Sequence, residues 1–95
     1  ELKECEYVQF RVANDETPSE GKLAQIGGGG AVGMSTAGES MAARHMGIEI
    51  CGISCITKMA AGISKGELNH KEVQETADKV AKSFKELVAK VVVNM

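Results

Sequence analysis

The sequence has few of the residues that mark secreted, membrane or nucleic-acid-binding proteins. Its 95 residues include no Trp, one Tyr, two Phe and one Pro, and its three cysteines are too few and odd in number for a secreted disulfide framework. No apolar run approaches the ~20 residues of a membrane span. Eleven Lys and Arg stand against thirteen Asp and Glu, so we expect no basic surface for nucleic acid. These absences predict a soluble, cytoplasmic protein with reduced thiols and no membrane or nucleic-acid partner.

The first third of the chain has the pattern of a strand followed by a helix. Alternating apolar and polar residues from Val8 predict a strand that ends near Ala13. The sequence Thr-Pro-Ser-Glu at 17–20 places a capping hydroxyl before a proline and a glutamate, which predicts a helix to about Ile26. Glycines 27–30 then favour a flexible connector.

The middle of the chain repeats this alternation. We expect a short strand at Ala31–Met34, a helix at Glu39–Met46 that ends at Gly47, and a third strand at Ile48–Ile56. Cys51 and Cys55 on that strand are interpreted as buried small hydrophobes.

A loop over Lys58–Leu68 leads to the last helix. Asn69 and Glu72 have the spacing of a second capping box. Apolar residues then recur at spacings of three and four, which predicts a stripe packed against the core and a charged, solvated opposite face. The stripe comprises Val73, Ala77, Val80, Phe84, Leu87 and Val91. The order βαβαβ-loop-α predicts an α/β fold with a parallel sheet.

Polar pairs follow two of the predicted strands. Ser35 and Thr36 come after the second strand, and Thr57 and Lys58 come after the third. Because ligands bind at the carboxyl ends of strands in open parallel sheets, we expect the two pairs to line one cleft.

Five blocks of the sequence together resemble one known family. The chain is similar to the C-terminal part of the trimeric purine nucleoside phosphorylases, a family that includes the inosine, guanosine and methylthioadenosine phosphorylases. The resemblance implies that residues 1–95 are the C-terminal portion of a single nucleoside phosphorylase domain. The blocks are ETP at 16–18, AVGMST at 31–36, ARHMG at 43–47, ISCITKMAAG at 53–62 and NHKEV at 69–73.

The resemblance also implies roles for particular residues. Glu16 matches the glutamate that accepts hydrogen bonds from the Watson–Crick edge of a 6-oxopurine, and Met34 lies under the ribose. Ser35 matches a phosphate ligand and His70 a histidine near the 5′-hydroxyl. The implied catalytic residues are Glu16, Lys58 and His70. The implied substrate-binding residues are Asp15, Glu16, Val32, Met34, Ser35, Thr57, Lys58 and His70.

For each residue a plainer interpretation exists. Without the resemblance, Glu16 is interpreted as a carboxylate that interacts with the dipole of the following helix at its N-terminus. Met34 is then a core methionine, Ser35 an ordinary serine at the end of a strand, and His70 a solvated histidine. His45 lies within a predicted helix and is interpreted as structural.

Two residues depart from the family pattern. Asp15 occupies the position of an aromatic residue that stacks on the purine, so stacking is lost and a charge replaces it. Lys58 occupies the position of an Asn or Asp that hydrogen-bonds around purine N7. Its ammonium either reaches the base, favouring 6-oxopurines, or extends into water on its long stem.

Two other kinds of site are excluded by context. Gly28, Gly30 and Gly33 match a dinucleotide fingerprint by spacing, but a helix precedes them and a strand follows, which is the reverse of that motif. Two cysteines four apart on a strand lie too far apart to share one tetrahedral ion with a histidine. Neither motif is therefore expected to bind a ligand, and phosphorolysis, which the resemblance implies, needs no metal or organic cofactor.

The expected activity is phosphorolysis of purine ribonucleosides to the free base and ribose 1-phosphate, with inorganic phosphate as co-substrate and a trimeric assembly. Methylthioadenosine phosphorolysis is an alternative enzyme activity, for which a different base-edge residue than Glu16 would be expected. A different class of function remains open as well: a non-catalytic fragment or degenerate paralogue that serves as an assembly piece.

Overall fold

The computed structural model describes residues 1–11, 14–63 and 70–95. Its elements are β1 (Tyr7–Gln9), α1 (Pro18–Ile26), β2 (Ala31–Gly33), α2 (Ala37–His45) and α3 (His70–Val93). The chain forms two compact units, one of Glu1–Ile53 with Met59–Gly66 and the other of Ser54–Lys58 with Glu67–Met95. The predicted end of the first strand at Ala13, the cap at Asn69 and the loop from 64 to 68 lie outside the described residues.

The first unit is built on a short parallel sheet. Strands β1 and β2 pair with Tyr7 opposite Ala31, Val8 opposite Val32 and Gln9 opposite Gly33. Because α1 connects the two parallel strands, this is a βαβ unit, and the predicted α/β fold class is confirmed.

Helix α1 begins as the sequence predicts. The Thr17 hydroxyl accepts a hydrogen bond from the Glu20 amide at 3.2 Å, and the Glu20 carboxylate accepts one from the Thr17 amide at 3.3 Å. Pro18 occupies the first helical position. Two of the amide groups that a helix start leaves without intrahelical partners are thereby satisfied.

The glycine run is an ordered turn, so its interpretation as a flexible connector was wrong. Gly28 has φ +92, and the amides of Gly28 and Gly29 donate to Gln25 and Ala24, which is the Schellman pattern at the end of α1. A Cβ at Gly29 would lie 2.6 Å from the Val8 side chain. Close approach of the backbone to β1 therefore requires glycine here.

Helix α2 starts two residues earlier than the predicted Glu39 and ends at His45. Gly47 has φ +81, and the amides of Gly47 and Ile48 donate to Arg44 and Ala43. This second Schellman cap confirms that Gly47 ends the helix.

The prediction of a third strand at Ile48–Ile56 was wrong. Residues 48–57 have no regular secondary structure, and Ile48 and Ile50 are exposed. A strand exists only where its backbone pairs with a neighbour, and among the described segments none pairs with this one. Cys51 and Cys55 are exposed free thiols, which also corrects their interpretation as buried hydrophobes.

Helix α3 carries the predicted apolar stripe along its 24 residues. Its stripe is only partly covered, since Val80, Phe84 and Val91 are each 36% exposed, and no residue of α3 is buried. Within the described ranges, no helix combines the length and apolar character needed to span a bilayer.

Candidate functional site

The residues predicted to form a site are divided between the two units. The first unit holds Asp15, Glu16, Val32, Met34 and Ser35, whereas the second holds Thr57, Lys58 and His70.

Among the residues that the structure describes, Glu16 is the buried ionisable side chain of the first unit. It is 7% exposed, although it lies one residue before the helix cap Thr17, where a solvent-exposed carboxylate would be ordinary. Its Oε1 accepts a hydrogen bond of 3.0 Å from the backbone amide of Ala61, 45 residues away in sequence. A carboxylate can accept about four hydrogen bonds, so this bond uses part of its capacity.

The segment around Ala61 lies against the start of α1 at three points. Besides the bond to Glu16, the Ala61 carbonyl oxygen would lie 2.8 Å from a Cβ at Gly21. Gly62 has φ +84, and a Cβ there would lie 3.0 Å from Cβ of Pro18. Glycine at both positions permits this approach and thereby buries Glu16.

A strained turn follows β2. Thr36 has φ +79 and ψ −50, and the Ala37 amide donates to the Ser35 carbonyl at 2.9 Å, which defines a γ-turn of the rare, strained kind. The Ser35 and Thr36 hydroxyls lie 3.1 Å apart and are exposed. Met34 is 37% exposed and Val32 is half-buried in β2. Predicted site residues Met34 and Ser35 therefore lie on one turn at the carboxyl end of β2.

The Gln9 side chain caps α2, the helix that starts after this turn. Thr36 is the N-cap of α2 but makes no capping hydrogen bond with its side chain. Instead, the Gln9 side-chain oxygen accepts a bond of 2.9 Å from the Gly38 amide. Gln9 and Tyr7 lie on the same face of β1. The Tyr7 hydroxyl lies so close to Gly33 that a methyl group there would collide with it. Sequence reasoning missed Gln9, because its partner is 29 residues away.

In the second unit, Thr57 and Lys58 are half-buried in the segment before Met59, and His70 is the exposed first residue of α3. The prediction that Thr57 and Lys58 face the same cleft as Ser35 depended on the third strand, which does not form. The roles of these three residues stay predictions. His45 is the exposed last residue of α2.

Other pockets and clusters do not coincide with these residues. A cavity of about 270 Å³ in the first unit is lined by Pro18, Lys22, Gln25, Ala61, Gly62 and Ile63. It contains none of the predicted substrate residues. In the parts of the chain that are described, no three His, Cys, Asp or Glu side chains are grouped to hold a metal ion.

Comparison with known proteins extends over nearly the whole chain. Residues 6–93 match the family model of the phosphorylase superfamily. The chain is 51% identical over 94 residues to purine nucleoside phosphorylase 1 of Geobacillus stearothermophilus, covering 99% of this chain and 34% of that protein. It is 44% identical over 88 residues to the Cellulomonas sp purine nucleoside phosphorylase, covering 93% and 31%. It is 38% identical over 91 residues to the Bos taurus purine nucleoside phosphorylase, covering 94% and 32%. The chain thus spans about a third of the length of these relatives. On this match, and with a βαβ unit of the expected class, the chain belongs to the phosphorylase superfamily.

Proposed function

We propose that the protein containing this chain catalyses phosphorolysis of purine ribonucleosides of the inosine and guanosine type. A phosphate oxygen attacks C1′, the bond from C1′ to N9 breaks, and its electron pair leaves with the purine. The products are the free base and ribose 1-phosphate. The names of the relatives support the reaction class, and one observation on this chain supports the base specificity: the buried carboxylate of Glu16.

Burial of a carboxylate is costly unless hydrogen bonds satisfy it. Ala61 supplies one donor to Oε1 of Glu16. A 6-oxopurine would supply more, since N1–H and, in guanine, the 2-amino group are donors that match carboxylate oxygens. Adenine has no proton on N1, so this pairing favours inosine and guanosine.

The other roles follow the resemblance. The Ser35 hydroxyl donates to phosphate, Met34 and Val32 contact the sugar and base, and Thr57 and Lys58 face the purine near N7. The catalytic contribution is electrostatic: charge develops on the departing purine, where Lys58 and Glu16 act, while His70 orients the 5′-hydroxyl. We propose no metal or organic cofactor, inorganic phosphate as the co-substrate, a trimeric assembly and a cytoplasmic location for nucleoside salvage.

Ser35 alone cannot hold phosphate, because a dianion needs several donors or cations. We therefore expect the 95-residue chain by itself to lack measurable turnover, and the longer protein that contains it to be active. Hypoxanthine release from inosine, with and without phosphate, tests both preparations. Turnover by the 95-residue chain at an ordinary enzymatic rate would contradict the expectation.

Glu16→Gln in the longer protein should lower kcat/KM for inosine and guanosine about ten- to hundredfold, the range expected for a charge-assisted hydrogen bond. Glu49→Gln, the same change at an exposed position of the first unit, is the matched control. Equal kcat/KM in the two variants would remove Glu16 from the base site.

A non-catalytic assembly piece is the second candidate. Asp15 at the purine-stacking position and Lys58 at the position near N7 favour it, since both depart from the family pattern. Absence of turnover with inosine, guanosine and methylthioadenosine in the longer protein would decide for this candidate.

A further inference from the structure

We infer that Gln9 is a positioning residue for the phosphate-binding turn: its side chain caps α2 and thereby fixes Ser35 in a conformation competent to bind inorganic phosphate. This inference rests on the proposed role of Ser35. It concerns a residue of β1 that does not itself contact the phosphate.

The side chain of Thr36 does not cap α2. A threonine at the N-cap ordinarily accepts a hydrogen bond from an amide of the first turn. Thr36 cannot do so here, because its backbone has φ +79 instead of the extended conformation of a normal cap. The Gly38 amide would be left without a protein acceptor if Gln9 did not bind it at 2.9 Å.

The turn before α2 is strained at Thr36, which has φ +79. A positive φ is unfavourable for a β-branched residue, so the γ-turn at Thr36 persists only if its surroundings stabilise it. The turn is fixed at its start by β2, which pairs with β1 up to Gly33. The bond from Gly38 to Gln9 fixes the other end, since Gly38 is the second residue of α2.

Both contacts that fix this turn come from β1. Gln9 lies opposite Gly33 in the sheet, and the Phe10 amide donates to the Gly33 carbonyl at 2.9 Å. The end of β1 therefore holds the residues on both sides of Met34, Ser35 and Thr36. Loss of the Gln9 acceptor releases one side only, so the turn should loosen without loss of the sheet.

The test uses Gln9→Met, which keeps an unbranched stem but has no oxygen acceptor, and Gln9→Glu, which keeps the acceptor. Gln25→Met makes the same change at an exposed position of α1 and is the matched control. In each variant of the longer protein that contains this chain, amide hydrogen exchange of Gly38 is measured by NMR, and inorganic phosphate is titrated while the amide shifts of Ser35 and Thr36 are followed.

We expect Gln9→Met to speed Gly38 exchange about fivefold, the ratio for a hydrogen bond worth about 1 kcal/mol. We also expect it to weaken the phosphate response of Ser35 by a similar factor. Gln9→Glu should restore slow Gly38 exchange, and Gln25→Met should match the wild type. In the longer protein, Gln9→Met should raise KM for phosphate about fivefold and change kcat and KM for inosine less than about twofold.

Several outcomes would overturn the inference. Faster Gly38 exchange with an unchanged phosphate response would make Gln9 a helix cap and nothing more. Unchanged Gly38 exchange in Gln9→Met would show that the hydrogen bond from Gly38 to Gln9 is not formed. If the amide shift of Ser35 in the wild-type protein does not respond to phosphate, Ser35 is not part of a phosphate site. If the longer protein lacks turnover but its phosphate response depends on Gln9, the inference stands and the proposed activity fails.

Discussion

Replacement of Glu16 by alanine should destabilise the first unit independently of any substrate. The change removes the acceptor for the Ala61 amide, and a hydrogen bond to a charged group contributes about 1.5–3 kcal/mol. Because this bond is only partly buried, water can reach the abandoned amide, and we expect a loss of about 2 kcal/mol. For a unit of this size, that corresponds to a fall in Tm of roughly 8–16 °C.

The composition provides a probe that reports on this unit alone. The chain has one tyrosine and no tryptophan, and Tyr7 lies in β1. Thermal unfolding followed by tyrosine fluorescence therefore measures the first unit and not α3. Glu16→Gln keeps an oxygen that can accept from Ala61, so its Tm should fall by no more than half as much.

Glu49→Ala is the matched control, because it removes an exposed carboxylate of the same unit and should change stability by less than about 0.5 kcal/mol. If Glu16→Ala and Glu49→Ala unfold at the same temperature, the bond to Ala61 does not hold residues 61–62 against α1. The structural reason for the burial of Glu16 would then be refuted.

Three further predictions concern single residues. Gly62→Ala should destabilise the first unit by about 1–2 kcal/mol, because Gly62 has φ +84 and a Cβ there would contact Pro18. Gly52→Ala is the control, since a Cβ at Gly52 meets open space and should not change stability. Urea unfolding followed by tyrosine fluorescence compares the two variants. Thr36→Gly should raise Tm by relieving about 1 kcal/mol of backbone strain, and a lower Tm would show that the positive φ is not strained. Lys58→Asn in the longer protein should lower the ratio of kcat/KM for inosine to that for adenosine about tenfold if the ammonium reads purine O6, because a charge-assisted bond is exchanged for a neutral one. An unchanged ratio would show that Lys58 does not read the base.

The sequence predicted those parts of the fold that depend on neighbours within a few residues. Thr17 and Glu20 are three apart and cap α1 as expected, and Gly47 ends α2 in a Schellman motif. In both motifs the interacting residues are only a few positions apart, so the sequence predicts them without knowledge of the tertiary fold.

The errors arose where the outcome depends on distant partners. Residues 48–56 have the composition of a strand, but pairing decides whether a strand forms, and composition does not supply a neighbour. Glycines 27–30 were interpreted as flexible because the close neighbours of Gly29 and Gly30, which are Val8 in β1 and Cys5 just before it, are distant in sequence. Once those contacts are known, Gly29 and Gly30 are required by the close approach of Val8 and Cys5, and Gly28 by its φ of +92.

The candidate site was predicted by residue type but not by geometry. Glu16 and Ser35 were singled out, whereas Ala61 and Gln9, which hold them, were not. Ala61 lies 45 residues from Glu16, and Gln9 lies 29 residues from Gly38, the residue whose amide it binds. Ala61 also acts through its backbone, which has no signature in sequence. A polar residue on a strand, such as Gln9, is ordinarily interpreted as solvent-facing.

The two features that conflict most with local preference lie where base and phosphate recognition are proposed. Thr36 adopts a conformation that glycine would adopt at lower cost, and Glu16 is buried at a position where exposure would avoid desolvation. Neither is explained by stability, since a less costly residue or conformation exists for each. Both are instead held by contacts from elsewhere in the first unit: the Thr36 turn by Gln9, and Glu16 by Ala61. A binding function accounts for this pattern. A hydroxyl and a carboxylate that are oriented before a ligand arrives lower the free-energy cost of binding it. The same orientation is strained in the free protein, so contacts from the surrounding structure must stabilise it.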